Sequence, residues 1–164
     1  MIDVRDLDPN FLLDIRYATK ENFTKERVYK KIQPLLREDA AQALCRVNAK
    51  LKRSGLQLKL WDAYRPKQAQ KLLWSVFPDE RYVANPKKHP RHCEGIAVDL
   101  TLADLKGREL PMPTGYDEFS DRAHRNFKKI PKARAANRKF LEKTMRAEGF
   151  EGLPTEWWHF DYRS

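Results

Sequence analysis

His92-Cys93-Glu94-Gly95-Ile96-Ala97-Val98-Asp99-Leu100-Thr101-Leu102 passes from a loop into a strand. Gly95 marks the turn. After it, Ile96, Val98, Leu100 and Leu102 recur with a period of two and predict one apolar strand face. Ala97, Asp99 and Thr101 fall on the other face, so Asp99 points away from the side that the aliphatic residues bury. His92 lies on the loop side, and a bend at Gly95 can bring its imidazole to the Asp99 carboxylate.

Toward the N-terminus, residues 38–53 predict a helix whose apolar stripe is Ala40, Leu44, Val47 and Leu51. Glu38 and Asp39 at its start and Lys50, Lys52 and Arg53 at its end suit the helix dipole. Ser54-Gly55 ends it. Leu56, Leu58 and Leu60 alternate with Gln57, Lys59 and Trp61 and predict a half-buried strand. This strand runs into Asp62-Ala63-Tyr64-Arg65-Pro66. Pro66 suits the first position of a second helix, with Ala69, Leu72, Leu73 and Val76 as its buried face and Pro78 as its stop. Leu12 to Tyr17 suggests a short strand within an otherwise irregular first 35 residues.

Toward the C-terminus, residues 84–95 and the Pro111-Met112-Pro113-Thr114-Gly115 stretch read as loop. Residues 132–148 predict a last helix with Ala133, Ala136, Phe140 and Thr144 at helical spacing and Gly149 as its cap. Trp158 to Tyr162 predicts a closing strand. Helices and strands mix without a regular βαβ rhythm, which points to an α+β fold. A chain of 164 residues suits one domain spanning 1–164 with a substantial core.

Composition narrows the classes. No run of roughly 18 apolar residues is present, so no transmembrane helix is expected. Met1-Ile2-Asp3-Val4-Arg5-Asp6 shows no apolar leader core, which favours the cytoplasm, or the periplasm if a leader has been removed. Two cysteines, Cys45 and Cys93, make no disulfide framework. Cys45 reads as a small core residue. Cys93 could act as a soft metal ligand, but adjacent residues rarely both reach one ion. The net charge is +10, and residues 122–146 hold ten Lys/Arg against one Glu. That segment reads first as a solvated helix face. It lacks the aromatic interleaving of a single-strand binder, so no nucleic-acid partner is expected. Oligomeric state is not legible.

Near the end stands Glu156-Trp157-Trp158-His159. With His92 and Asp99 this makes two imidazoles, a carboxylate, and a second carboxylate three residues before the last His. That is the donor set of a catalytic zinc hydrolase: three ligands and a non-ligand Glu that moves protons. For Glu156 and His159 to share one site, the chain must turn near Thr155-Glu156. His89 is a lower-ranked rival ligand, and His124 reads as surface or packing. Arg65 leaves two readings open: a guanidinium that stabilises an oxyanion, or a bidentate bridge that holds the Tyr64-Arg65-Pro66 turn.

Asp62-Ala63-Tyr64-Arg65-Pro66, His92-x6-Asp99 followed by Leu100-Thr101-Leu102, Met112-x-Thr-Gly-Tyr-Asp117-x-Phe119 and Glu156-Trp157-Trp158-His159-Phe160 occur in that order. In this the chain resembles the VanX-type zinc D-alanyl-D-alanine dipeptidases, from about Tyr17 to Tyr162. The resemblance implies a Hedgehog/DD-peptidase-like α+β fold with a central antiparallel sheet flanked by helices. It implies one Zn²⁺ per chain bound by His92, Asp99 and His159. It implies Glu156 as catalytic base, Arg65 as transition-state stabiliser, and Asp117 as the carboxylate that holds a substrate's ammonium. The implied partner is a small dipeptide. Two positions depart from the family pattern. Pro90 stands where a Ser is usual two residues before the first zinc His, and Met112-Pro113 replaces a Met-Gly pair. The alternatives are a D,D- or L,D-carboxypeptidase or endopeptidase acting on peptidoglycan stems, and a zinc-stabilised binding module without catalysis.

Overall fold

The computed structural model describes residues 1–163. The chain runs β1 (Ile2–Asp3), α1 (Val4–Leu7), β2 (Leu12–Leu13), β3 (Leu35–Leu36), α2 (Glu38–Lys52), β4 (Leu56–Asp62), α3 (Lys67–Val76), β5 (Ala97–Asp104), α4 (Lys132–Arg146), β6 (Phe150–Gly152) and β7 (His159–Tyr162). Five strands form one sheet in the order β2-β4-β5-β7-β6, while β1 and β3 make a separate antiparallel pair. The expected α+β class holds, and the sheet is antiparallel except at β2, which lies parallel to β4 at one edge.

Helix α2 has the predicted extent, and Ala40, Leu44, Val47 and Leu51 are all buried. Each large aliphatic side chain buried this way contributes about 1.5–3 kcal/mol. Asn48 lies on the same buried face. Its Oδ1 accepts from the backbone N–H of Leu58 at 2.8 Å and its Nδ2 donates to Asp8 at 3.0 Å, tying the helix to β4. A buried amide is tolerated because its polar groups have partners.

The two central strands differ from the half-buried reading. In β5 every residue from Ala97 to Ala103 is buried, and in β4 Gln57, Trp61 and Asp62 are buried along with Leu58 and Leu60. Helix α2 and the apolar core cover one face. Residues 15–30, 63–95 with α3, and 110–125 contribute to the other side, where the polar residues converge.

A bulge in β4 changes which side chains reach that polar face. Leu60 pairs with Leu100, but the register then shifts so that Asp62 pairs with Asp99. Asp99 in turn pairs with His159 of β7. Cross-strand partners share a face. The extra residue therefore swings Asp62 onto the same row as Asp99 and His159, which an unbroken ladder would have denied it.

Two helix faces are corrected. In α3, Ala69 and Leu73 are buried but Leu72 and Val76 are exposed; the buried side is completed by Gln70. Gln70 Nε2 donates to the carbonyl of Ala84 at 2.6 Å, so the helix turns a polar residue inward to hold the loop that follows. In α4, Phe140 is exposed and Ala133 and Ala136 lie at the surface, whereas Leu141 and Met145 are buried. Only the second half of α4 reaches the core. Its first half is tied down by arginines: Arg134 donates to the carbonyl of Met112, and Arg138 to those of His124 and Phe127. The basic segment is thus partly a set of loop staples and not only a solvated face. Cys45 is half-buried against the core. No helix among the described residues is long and apolar enough to cross a membrane.

Candidate metal centre and cavity

His92, Asp99 and His159 converge as the resemblance implied, and all three are buried. His92 Nε2 lies 3.3 Å from His159 Nδ1 and 3.3 Å from Asp99 Oδ1, and His159 Nδ1 lies 2.9 Å from Asp99 Oδ1. A tetrahedral ion with bonds of roughly 2.0–2.1 Å sets its donor atoms about 3.3 Å apart. The triangle therefore fits such an ion. Among the described residues this is the one group of three or more His, Cys, Asp or Glu so placed; Cys93 and His89 are not in it. The His89 side chain is exposed, near Glu94, and His124 bonds to the hydroxyl of Tyr82.

Local structure explains the convergence. Pro90 starts a 3-10 turn over Arg91–Glu94, and Gly95 closes it with φ +69°. That left-handed turn suits glycine, and the space is tight besides: an added Cβ would lie 2.7 Å from the sulfur of Met1 and 3.3 Å from the backbone nitrogen of Arg37. The turn carries His92 over the end of β5. The Arg65 amide donates to the carbonyl of His92 at 3.1 Å, which fixes the Arg65 turn to the same place.

The atoms of each ligand that face away from the triangle are occupied. His92 Nδ1 lies 2.7 Å from the carbonyl of Ala63 and can only donate to it, so Nε2 presents its lone pair. His159 Nε2 lies 3.0 Å from Asp161, which leaves Nδ1 for the triangle. Asp99 Oδ2 accepts from the Tyr116 hydroxyl at 2.9 Å, which leaves Oδ1. Partners of this kind select tautomer and ring orientation in metal sites. Asp161 was missed in the sequence, although its position two residues after His159 on one strand put it on the right face.

Charge also fits a cation. Burial pushes the His159 imidazole toward neutrality, but its bonds to Asp161 and Asp99 outweigh this and carry its pKa to about 10. Its ring is held positive unless another cation takes that place among the carboxylates. Glu156 is buried with Oε2 4.0 Å from His159 Nδ1. Burial, with Asp99 and Asp117 nearby, raises its pKa well above the ordinary carboxylate range, against the pull of His159. Burial thus disfavours the charged form of Glu156, so that the group readily takes up a proton, as a proton-transfer residue must.

Arg65 is buried beside them. Its Nε and Nη2 donate to Asp62 Oδ2 at 3.1 and 2.8 Å, and its Nη1 to Gln70 at 2.9 Å. The guanidinium also lies 5.0 Å from the ring centre of Tyr17. Asp62, placed by the bulge, is held in turn by the Tyr29 hydroxyl at 2.8 Å. Asp117 has a left-handed backbone, φ +55°, and accepts from the Tyr17 hydroxyl at 3.1 Å. Burial first, and then Asp99, raises its pKa to about 8.

These groups line one cavity of about 150 Å³. Its other lining residues include the apolar Val83, Pro90 and Phe119, together with Tyr82, Glu80 and Arg91. That is small beside the roughly 300–1,000 Å³ that hold drug-sized ligands.

The segment carrying Glu156 and His159 is held from behind by Arg125, another residue missed in the sequence. Its guanidinium donates to the carbonyls of Leu153, Trp157 and His159 at 2.8, 3.1 and 2.8 Å. It passes where a Cβ on Gly152 would come within 2.1 Å of Arg125 Cζ. Gly152→Ala is therefore expected to displace the guanidinium and destabilise the protein by about 1–3 kcal/mol, read from urea denaturation. An unchanged midpoint would show that the clamp contributes little.

A family model described as "D-ala-D-ala dipeptidase", of peptidase M15, matches residues 1–164. The D-alanyl-D-alanine dipeptidase of Escherichia coli (strain K12) is 38% identical over 161 residues, covering 98% of this chain and 83% of the relative. That of Enterococcus faecalis (strain ATCC 700802 / V583) is 33% identical over 171 residues, covering 90% and 83%. Among solved structures, the LD-carboxypeptidase LdcB superposes with a TM-score of 0.55 at 23% identity over 82% of this chain. The chain spans 62% of that carboxypeptidase's length. The vancomycin-resistance D,D-pentapeptidase VanY, solved with Zn(II), gives a TM-score of 0.50 at 14% identity, covering 77% of this chain and 72% of VanY. These two likenesses bear on the fold.

Proposed function

We propose that this chain, which belongs to the D-Ala-D-Ala dipeptidase family of peptidase M15, is a zinc-dependent dipeptidase that hydrolyses D-alanyl-D-alanine to two D-alanines. The carrying observation is the buried His92–Asp99–His159 triangle with Glu156 beside it, inside a cavity of about 150 Å³. A zinc ion held by those three residues supplies Lewis-acid polarisation of the scissile carbonyl and acidifies water.

The protein's own groups do the rest. Glu156 takes the proton from the attacking water and returns it to the departing amine. Arg65, always charged and fixed by Asp62 and Gln70, faces the negative charge that develops on the carbonyl oxygen. Asp117 holds the substrate's ammonium. Its raised pKa marks a carboxylate short of positive neighbours, which a free amino terminus supplies. A small cavity with such a group favours a free dipeptide over a stem peptide, which needs an open groove.

The test is release of free D-Ala by the zinc-loaded protein from D-Ala-D-Ala, beside an N-acylated D-Ala-D-Ala and a longer peptide with the same end. Cleavage of the free dipeptide alone supports the reading; preferential cleavage of the longer peptide overturns it in favour of a carboxypeptidase.

Asp117→Asn is expected to raise KM for D-Ala-D-Ala about 10–100-fold, the loss of one charge-assisted hydrogen bond. Asn tolerates the same backbone conformation. The metal-free protein should show the opposite effect on stability. A carboxyl whose folded pKa is about 8, against an ordinary value of 3.8, stabilises the fold only while protonated. Its contribution is complete below the unfolded value and is lost as pH rises toward about 8. The Asn variant should therefore gain in relative stability between those limits and run parallel above them, in urea melts at several pH values. Parallel melts throughout would mean that Asp117 is not strained by burial.

A further inference from the structure

A dipeptide brings a carboxylate as well as an ammonium, and the cavity has two arginines to receive it. Among the described lining residues only Arg65 and Arg91 carry a fixed positive charge. Three of the five Arg65 N–H groups are engaged, from Nε and Nη2 to Asp62 and from Nη1 to Gln70; its side chain is only 8% exposed, and what remains of it is assigned above to the carbonyl oxygen. Arg91 is 40% exposed. Its one hydrogen bond, from Nη1 to Glu94, is 3.4 Å long, and its Nε stands 3.7 Å from Asp161 Oδ2, beyond bonding distance. Most of its donor fork is free.

The two charges also reach the triangle through different groups. Asp117 is joined to the Arg65 side through the Tyr17 hydroxyl, at 3.1 Å. Arg91 is joined to the His159 side, through Asp161 and its 3.0 Å bond to His159 Nε2. A zwitterionic peptide whose carbonyl sits at the triangle would lay its amino end toward Asp117 and its carboxyl end toward Arg91. The preceding residue offers nothing in competition: Pro90 has neither a hydroxyl nor an N–H. Its fixed φ of −59° starts the turn that carries Arg91 into the cavity lining.

We propose that Arg91 is the carboxylate-binding, specificity-determining residue of this enzyme, holding the substrate's free C-terminus in a forked contact. The proposal rests on the dipeptidase reading. A guanidinium suits the task because its planar fork matches a carboxylate, which an ammonium cannot reproduce.

The experiment compares D-Ala-D-Ala with its C-terminal amide, using the zinc-loaded wild type, Arg91→Gln and Arg91→Lys. The wild type should prefer the acid. Arg91→Gln should raise KM for the acid about 10–100-fold, as one charged contact is lost, with little change in kcat and no change toward the amide. Arg91→Lys should fall between. In the Glu156→Gln background, calorimetric binding of the acid should weaken by the same factor on adding Arg91→Gln, while the amide binds equally well. A wild type that cleaves acid and amide alike, or an Arg91→Gln protein that loses both equally, overturns the assignment and leaves the dipeptidase reading standing. A wild type that cleaves neither removes both.

Discussion

Glu156→Gln is expected to keep its full complement of zinc and lose about 10²–10⁴-fold in kcat, the range that a positioned general base contributes. The substitution is nearly isosteric, so it separates chemistry from architecture. The metal triangle does not include Glu156, whose Oε2 stands 4.0 Å from His159 Nδ1. The segment around it is held by other groups: Trp157 Nε1 donates to Thr114 at 2.8 Å, and Arg125 grips three of its carbonyls. Zinc content by mass spectrometry and KM should therefore stay near wild type while turnover collapses. A zinc-loaded Glu156→Gln protein with near-normal turnover would remove the proposed mechanism. Loss of zinc along with turnover would place Glu156 among the metal-holding groups instead.

How much of this site is legible in the sequence depends on how each residue is positioned. Asp99 lies within a regular strand, so alternation alone put it opposite Val98 and Leu100, and the ladder confirms its row beside His159. His92 could be placed because Gly95 supplies a backbone conformation that other residues resist. Asp62 could not be placed. Its orientation depends on the register shift after Leu60, and a bulge is a property of two paired strands rather than of either alone. Arg125 was hidden for a related reason. In a run of ten cations, nothing local distinguishes the one that is buried against Leu153, Trp157 and His159 from those that face water. The face of α4 was misjudged because periodicity assumes that a helix packs along its length, whereas here Leu141 and Met145 near its end make the contact.

Replacement of Arg65 decides between the two readings that the sequence left open, because the structure supports both at once. The guanidinium is bridged to Asp62, whose side chain is completely enclosed, and it also lines the cavity beside Asp99, with Nη2 3.7 Å from Asp99 Oδ2. Burial acts most strongly against its charge, but Asp62 together with Tyr17, Tyr29 and Tyr116 outweighs it and keeps the group protonated. Arg65→Ala leaves Asp62 with the Tyr29 hydroxyl and the Ala63 amide but no cation. Breaking a buried pair in that way costs about 3–5 kcal/mol, so the variant should unfold at markedly lower urea and by itself says little about catalysis. Arg65→Lys is the informative change. It keeps a positive charge near Asp62 and so most of the stability. It cannot bond Asp62 and Gln70 while also directing an N–H at the substrate, because its ammonium is a point charge and not a fork. If Arg65 faces the developing oxyanion, Arg65→Lys should lose about 10²–10³-fold in kcat with KM little altered, as when one preorganised donor is removed. A folded Arg65→Lys protein with wild-type kcat would assign Arg65 to the turn alone.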